Sequence, residues 1–284
     1  MAVLPAQKIA SYFEMFKGID VTFTKEMIQV TGLITEQVHI KCGSDFWPCV
    51  LFATSFQSAK IVANTRSGLI DKLQKANNSV SLRLCFKSLD KGTPVTFFIA
   101  GRVIGSIPYR DSGDIYLLTI QFTQRPPDDL IEVIGRILDA NVNSAKRKDE
   151  RIILTPETQR KIKLASKEST VFIQNVPRRC ILRDLSFSGT KIIMMGVAKF
   201  LVDKEAVLRF EFDDPREFFL IKGMFIRSEG VEGKKDMVAL AVEFDKAHVP
   251  MGYKIRINEY INTVRADSRV QPVSETDGAS ASKK

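Results

Sequence analysis

Apolar residues along this chain fall mostly at every second position, interrupted by a few stretches in which they recur at every third or fourth. Pro5 opens one such helical stretch, with Ile9, Phe13 and Phe16 on one face, and Gly18 stops it. Period two then takes over. Val80, Leu82, Leu84 and Phe86 alternate with Ser81, Arg83, Cys85 and Lys87, and Tyr116, Leu118, Ile120 and Phe122 repeat the pattern after the Asp-Ser-Gly-Asp turn at 111–114. Extended stretches at 46–54 and 58–63, a short helix over 67–76, and a strand over 95–104 with Gly101 as its expected bulge complete this half. Pro126 and Pro127 open a helix whose Leu130, Ile131, Ile134, Ile137 and Leu138 form a stripe. Asp128 and Asp129 stand in its first turn, at the positive end of the helix dipole. A domain is expected to close near Asp139.

Residues 141–151 hold few apolar side chains and carry Lys146, Arg147, Lys148 and Arg151 against Asp149 and Glu150, the composition of an exposed basic linker. Strand patterning resumes at 170–174, 179–185, 191–195, 206–212, 218–227 and 237–244. Ala206, Leu208, Phe210, Phe212 and Val238, Leu240, Val242, Phe244 give the cleanest alternation. A last helix keeps Tyr253, Ile257, Tyr260 or Ile261, and Val264 on one face, and the polar tail at 266–284 buries too little to fold. One plan is read twice, strands followed by a closing helix. It predicts a mainly β protein with short helices, each half a small barrel or sandwich. The halves are an N-terminal domain over 1–140, a basic linker over 141–151 and a second domain over 152–265.

Composition bounds this reading. With 284 residues, 44% of them hydrophobic and 26% charged, the chain can bury two cores. No apolar run approaches the roughly 20 residues of a membrane-spanning helix, and Met1–Pro5 is too short for a signal sequence, so no transmembrane segment and a cytoplasmic location are expected. Cys42, Cys49, Cys85 and Cys180 form no CxxC pair and read as reduced thiols. His39, Cys42 and Cys49 match no zinc spacing and lack a fourth ligand, so no metal is expected. His248, beside Pro250, reads as a capping or surface residue, and Trp47 and the phenylalanines read as core. No GxGxxG, Walker loop, HExxH or GxSxG is present, and no nucleophile has a histidine partner, so neither an enzyme nor a cofactor is expected. Charge changes the picture more. The net +9 is uneven: residues 1–139 hold 15 basic and 13 acidic side chains, net +2, whereas 140–190 hold 11 and 5, net +6. An anionic partner is expected near the linker and the first strands of the second domain.

Within that basic region, Asp184, Ser186 and Gly189 form a [DN]xSxxG pattern at a strand end, with Leu185 and Phe187 pointing to the other face. Chance supplies such a pattern only about 0.1 times in a chain of this composition. Upstream, Arg147 and Arg151 form an RxxxR. The same spacing recurs at 179/183 and 265/269, so only position singles out the pair on the basic segment before the second domain. This ordered pair of motifs resembles the PilZ family of cyclic di-GMP receptors over roughly 145–265. The N-terminal half looks like the PilZ-like partner domain of two-domain receptors of the YcgR and PlzA type. The interval from Arg151 to Asp184 is long for that family, and the helix-compatible stretch 156–165 is an addition.

The resemblance implies two small antiparallel β-barrels, each closed by a C-terminal helix. It also implies a cyclic di-GMP site made of Arg147, Arg151, Asp184, Ser186 and Gly189, with Lys146, Arg178, Arg179 and Arg183 as additional candidates. Their chemistry suits such a ligand. The planar arginine fork bonds phosphate or a guanine edge and stacks on purines, and an ionised aspartate accepts from guanine N–H groups. Ser186 would add a hydroxyl contact, and Gly189 would let a base approach the backbone. The family further implies a change of interdomain arrangement on binding, and control of motility or virulence through a protein partner such as flagellar motor or regulatory proteins. The alternative is a basic β-barrel that binds nucleic acid, which requires exposed aromatics on a basic face. A scaffold that binds only protein is a further rival.

Overall fold

The computed structural model describes residues 5–66, 68–87, 93–110 and 112–270. The expected tail lies outside them from residue 271 on, while its first residues, 266–270, are not unfolded but continue the last helix; Asp111 of the expected turn also lies outside. The first half begins with helix α1 (Ala6–Phe16), strand β1 (Val21–Thr22) and helix α2 (Lys25–Thr31), then β2 (His39–Cys42), β3 (Asp45–Thr54) and β4 (Ser58–Asn64). Helix α3 (Leu69–Lys75), strands β5 (Ser79–Lys87), β6 (Pro94–Pro108) and β7 (Ile115–Phe122), and helix α4 (Asp128–Lys146) complete it. The second half runs β8 (Ile152–Ile153), α5 (Pro156–Ile162), β9 (Glu168–Ile173), β10 (Val176–Leu182), β11 (Asp184–Leu185) and β12 (Gly189–Met195). It ends with β13 (Glu205–Phe212), β14 (Glu217–Val231), β15 (Lys234–Phe244) and α6 (Met251–Val270).

Both halves are closed six-stranded antiparallel barrels. The first runs β3-β2-β5-β6-β7-β4 and closes through the β3–β4 pairing, with β1 added alongside β3. The second closes in the order β10-β12-β15-β14-β13-β9. Alternation does the sorting. Leu82, Leu84, Ile99, Leu118 and Ile120 point into the first core, and Leu208, Phe210, Phe212, Leu240 and Phe225 into the second. Gly101 is not a bulge. It stays in register opposite Val80 and Phe122, and the irregularity in the β6–β7 ladder falls between Val103 and Gly105. A Cβ on Gly101 would lie 2.8 Å from the Gln121 carbonyl oxygen, so close strand approach is what requires glycine there.

Helix α4 departs most from expectation. Its stripe of Leu130, Ile131, Ile134, Ile137 and Leu138 covers the first barrel, but the helix continues to Lys146 and buries Asn143. The stretch read as an exposed linker is thus helical over its first half. It looks like linker in sequence because what it buries is polar. Asp139 accepts hydrogen bonds from the side-chain amides of Asn143 at 2.9 Å, Asn258 at 2.9 Å and Asn262 at 3.0 Å, and from the Tyr12 hydroxyl at 3.3 Å. Asn143 also donates to Asn258 Oδ1 at 2.8 Å. Arg136 of α4 ion-pairs with Glu259 of α6, and Glu26 of α2 accepts from the Met251 backbone N–H at 2.6 Å, at the start of α6. Burial and the Asp139 carboxylate push the Tyr12 hydroxyl well above its ordinary pKa.

Helix α6 serves both halves. Tyr253, Ile257 and Ile261 enter the second core, while Met251 and Ile255 pack against the first. In the second half the inserted stretch at 156–165 is helical over its first seven residues, helix α5, started by a capping box in which Thr155 and Thr158 satisfy each other's backbone N–H groups, with Pro156 in the first turn. Trp47 is buried as expected, but Phe46, Phe98, Phe200 and Phe218 are each more than half exposed, so the phenylalanines are not all core. The cysteines are buried and unpaired, and burial pushes the Cys49 and Cys180 thiols up to about 12. No helix among the described residues is long and apolar enough to cross a membrane.

Candidate functional site

The site begins where α4 ends. Arg147 is the C-cap residue of α4, its N–H bonded to the Asn143 carbonyl at 2.8 Å, and the chain then turns through Lys148–Glu150. Two contacts hold this turn against the second barrel: Arg265 pairs with Glu150 at 2.8 Å, and the Ser188 hydroxyl donates to the Lys148 carbonyl at 2.7 Å. Residues 147–151 are therefore docked rather than free. Strand β8 next pairs with β11, Ile153 opposite Asp184 and Ile152 opposite Leu185, and this short ladder carries Arg151 to Asp184. The guanidinium Nη1 lies 2.8 Å from Asp184 Oδ1. The same oxygen accepts from the Lys191 backbone N–H at 2.8 Å. A carboxylate has room for about four donors, so Asp184 retains capacity for another N–H. Arg147 has a buried Nη1 that finds no hydrogen-bond partner among the described residues.

Ser186 and Gly189 belong to the same turn but face inward. Ser186 is fully buried; its hydroxyl donates to the Gly189 carbonyl at 2.8 Å and accepts from the Gly189 N–H at 3.0 Å. Its carbonyl accepts from the Tyr253 hydroxyl at 3.0 Å. A Cβ on Gly189 would run into the Val242 carbonyl of the neighbouring strand. The sequence suggested a hydroxyl contact and an open approach for a base. In the structure these two residues instead shape the bend that presents Asp184 and the Lys191 N–H. Leu185 and Phe187 fill the core as expected. Gly189→Ala is accordingly expected to destabilise the second barrel toward the upper end of about 1–3 kcal/mol, because backbone must move to admit the methyl group. Thermal unfolding checks this, and an unchanged midpoint contradicts it.

Lys146, Arg178, Arg179 and Arg183 are exposed. Arg179, with Ile181, Ile193 and Met195, lines an open concavity of about 590 Å³ on the outer barrel face. The structure thus brings Arg151 onto Asp184, folds Ser186 and Gly189 into the adjoining bend, sets Arg147 at the end of α4 on the docked segment, and leaves those four on the surrounding surface. Lys191 and Tyr253 were not read as site residues. Lys191 had a usable signal, a cation two positions past Gly189 on the outward phase of its strand; Tyr253 looked only like core. Among the described residues no group of His, Cys, Asp or Glu could hold a metal ion.

Residues 7–141 match the model of the PilZN3 domain. The chain is 44% identical over 266 residues to a cyclic di-GMP binding protein of Treponema denticola, covering 93% of this chain and 85% of that one. Among solved structures it is similar to Borreliella burgdorferi PlzA in complex with c-di-GMP, with TM-score 0.41, 24% identity and coverage of 90% of this chain and 99% of that one. It is also similar to Escherichia coli YcgR in complex with c-di-GMP, with TM-score 0.28, 11% identity and coverage of 94% and 97%.

Proposed function

Because the chain belongs to the PilZ family of cyclic di-GMP binding proteins, we propose that it is a receptor for cyclic di-GMP, held by Arg147, Arg151 and Asp184 on a bend built by Ser186 and Gly189. The observation that carries this reading is the contact of Arg151 with Asp184, two residues 33 positions apart that the β8–β11 ladder brings to 2.8 Å. In the bound complex Asp184 accepts from guanine N–H donors, and the two arginines bond phosphate oxygens or guanine O6 and N7 and stack on the purine. Binding rather than turnover is the activity.

The proposed output is a change in interdomain arrangement, with 1–140 and 152–265 as the units and 141–151 between them. Arg147 ends α4, and α4 is bonded to α6 through Asp139, Asn143 and Asn258. A ligand that engages Arg147 therefore acts on the helix that sets the two barrels' orientation. A cytoplasmic protein partner, a flagellar motor or regulatory component, would read the new surface. Small-angle scattering with and without cyclic di-GMP tests this: a ligand-dependent profile is expected, and identical profiles contradict the rearrangement while leaving binding intact.

One observation favours a second reading, nucleic-acid binding. Phe46 and Phe98 stand exposed on the first barrel, and cross-strand pairing sets Lys41 opposite Phe46 and Arg83 opposite Phe98. Lys41 Nζ lies 5.2 Å from the Phe46 ring centroid. Fluorescence anisotropy with single-stranded oligonucleotides tests it; salt-sensitive binding lost in Phe46→Ala/Phe98→Ala supports it, and no binding at low salt removes it.

A further inference from the structure

Three charged side chains converge on the outer face of the second barrel, immediately beside Asp184. Lys191 on β12 and Arg227 on β14 both pair with Ala241 on β15, and Glu229 on β14 pairs with Ala239. Ala239 and Ala241 take the outward phase of β15, between Val238, Leu240 and Val242, which fill the core. With only methyl groups between them, the flanking side chains meet across the middle strand. Glu229 Oε2 lies 2.6 Å from Lys191 Nζ, and its Oε1 lies 3.6 Å from Arg227 Nε. A bulge between Phe225 and Arg227 makes this possible. It leaves Phe225 pointing inward, opposite Val242, and turns Arg227 outward over Ala241.

On the receptor reading above, we propose that the ligand site extends across β12, β15 and β14, where Lys191 and Arg227 form a seat for a phosphodiester over the alanine floor and Glu229 is the seat's internal competitor. A carboxylate resembles a phosphodiester in carrying one negative charge and offering two acceptor oxygens to such a cation pair. Glu229 is held below the usual carboxylate range, chiefly by its hydrogen bond from Lys191, and so is ionised at neutral pH. Its tether is local and its side chain about half exposed, so an incoming anion can displace it. Lys191 joins this seat to the rest of the site, since its backbone N–H bonds Asp184 while its ammonium reaches Glu229. Cyclic di-GMP carries two phosphodiesters, and the seat supplies a second cationic partner apart from Arg147 and Arg151.

Calorimetric titration of the full chain with cyclic di-GMP tests the seat through four variants. Glu229→Gln removes the competitor and is expected to tighten binding about 3- to 10-fold. Lys191→Met and Arg227→Met are each expected to weaken it about 10-fold, and Ala241→Leu, which fills the floor, by at least as much. The exposed variants should keep the wild-type unfolding midpoint. If Ala241→Leu alone unfolds early, Arg227→Met and Glu229→Gln decide. Wild-type affinity in Lys191→Met and Arg227→Met, or no gain in Glu229→Gln, overturns the seat. Should those variants bind normally while Arg151→Ala does not, only the seat fails. Should the wild type itself not bind, the receptor reading fails.

Discussion

Arg151→Ala is expected to weaken cyclic di-GMP binding at least about 100-fold while leaving the protein folded. The side chain is 43% exposed, and among the described residues its one side-chain hydrogen bond is to Asp184. Losing that pair costs about 1–3 kcal/mol, because Asp184 is buried but keeps the Lys191 N–H. In the complex the same group would make charge-assisted bonds worth roughly 1.5–3 kcal/mol together with a stacking contact, enough for a 100-fold loss. Arg151→Lys keeps the charge and loses the planar fork, so an intermediate effect of about 10-fold is expected. Arg147→Ala should resemble Arg151→Ala, since its buried Nη1 makes no bond in the fold that truncation would break. Calorimetric titration paired with thermal unfolding separates binding from stability. If both alanine variants bind like the wild type, the RxxxR at 147 and 151 is the wrong one of the three.

Asp139→Ala is expected to cost about 2–4 kcal/mol and to uncouple the two barrels. Its carboxylate gathers donors from α1, α4 and α6, and two of those donors, Asn143 and Asn258, are buried. Without it their amides lose acceptors in a place water does not easily reach, and a partly satisfied buried network is worse than none. Urea unfolding is expected to show one transition for the wild type and two for the variant, and the scattering response to ligand should be lost. A double-mutant cycle between Asp139→Ala and Asn258→Ala measures the coupling, expected at about 1 kcal/mol or more. Stability within about 0.5 kcal/mol of the wild type would show that the Asp139 network does not hold α4 to α6, leaving that to apolar contacts and the Arg136–Glu259 ion pair.

Most of the β architecture was legible, for a plain reason. In Val80–Phe86, Tyr116–Phe122, Ala206–Phe212 and Val238–Phe244, one side chain in two enters a barrel core, and that period survives in sequence. Strand β2 was missed because four residues are too few for a period to show, and helix α2 was missed as well. The end of α4 was misread for the opposite reason: Asn143 is polar and buried, and Asp139, its partner, is partly buried, so binary patterning assigns both to solvent. Motif spacing singled out Arg147, Arg151 and Asp184 as candidates, but side-chain direction was invisible to it. Ser186 and Gly189 build the bend that carries Asp184, their atoms committed to the Gly189 backbone, Tyr253 and Val242. Lys191, Arg227 and Glu229 meet only because strand order and a bulge align them, and neither can be read along the chain.

The central claim is that the docked segment 147–151 and the Asp184 bend form one site for cyclic di-GMP. Calorimetric titration of the full chain with cyclic di-GMP, run beside Arg151→Ala, tests it most directly. Saturable binding in the low micromolar range or tighter, about 8 kcal/mol or more, is predicted for the wild type, with no measurable saturation for the variant. No saturable heat from the folded wild-type protein, or equal binding by both, would contradict it.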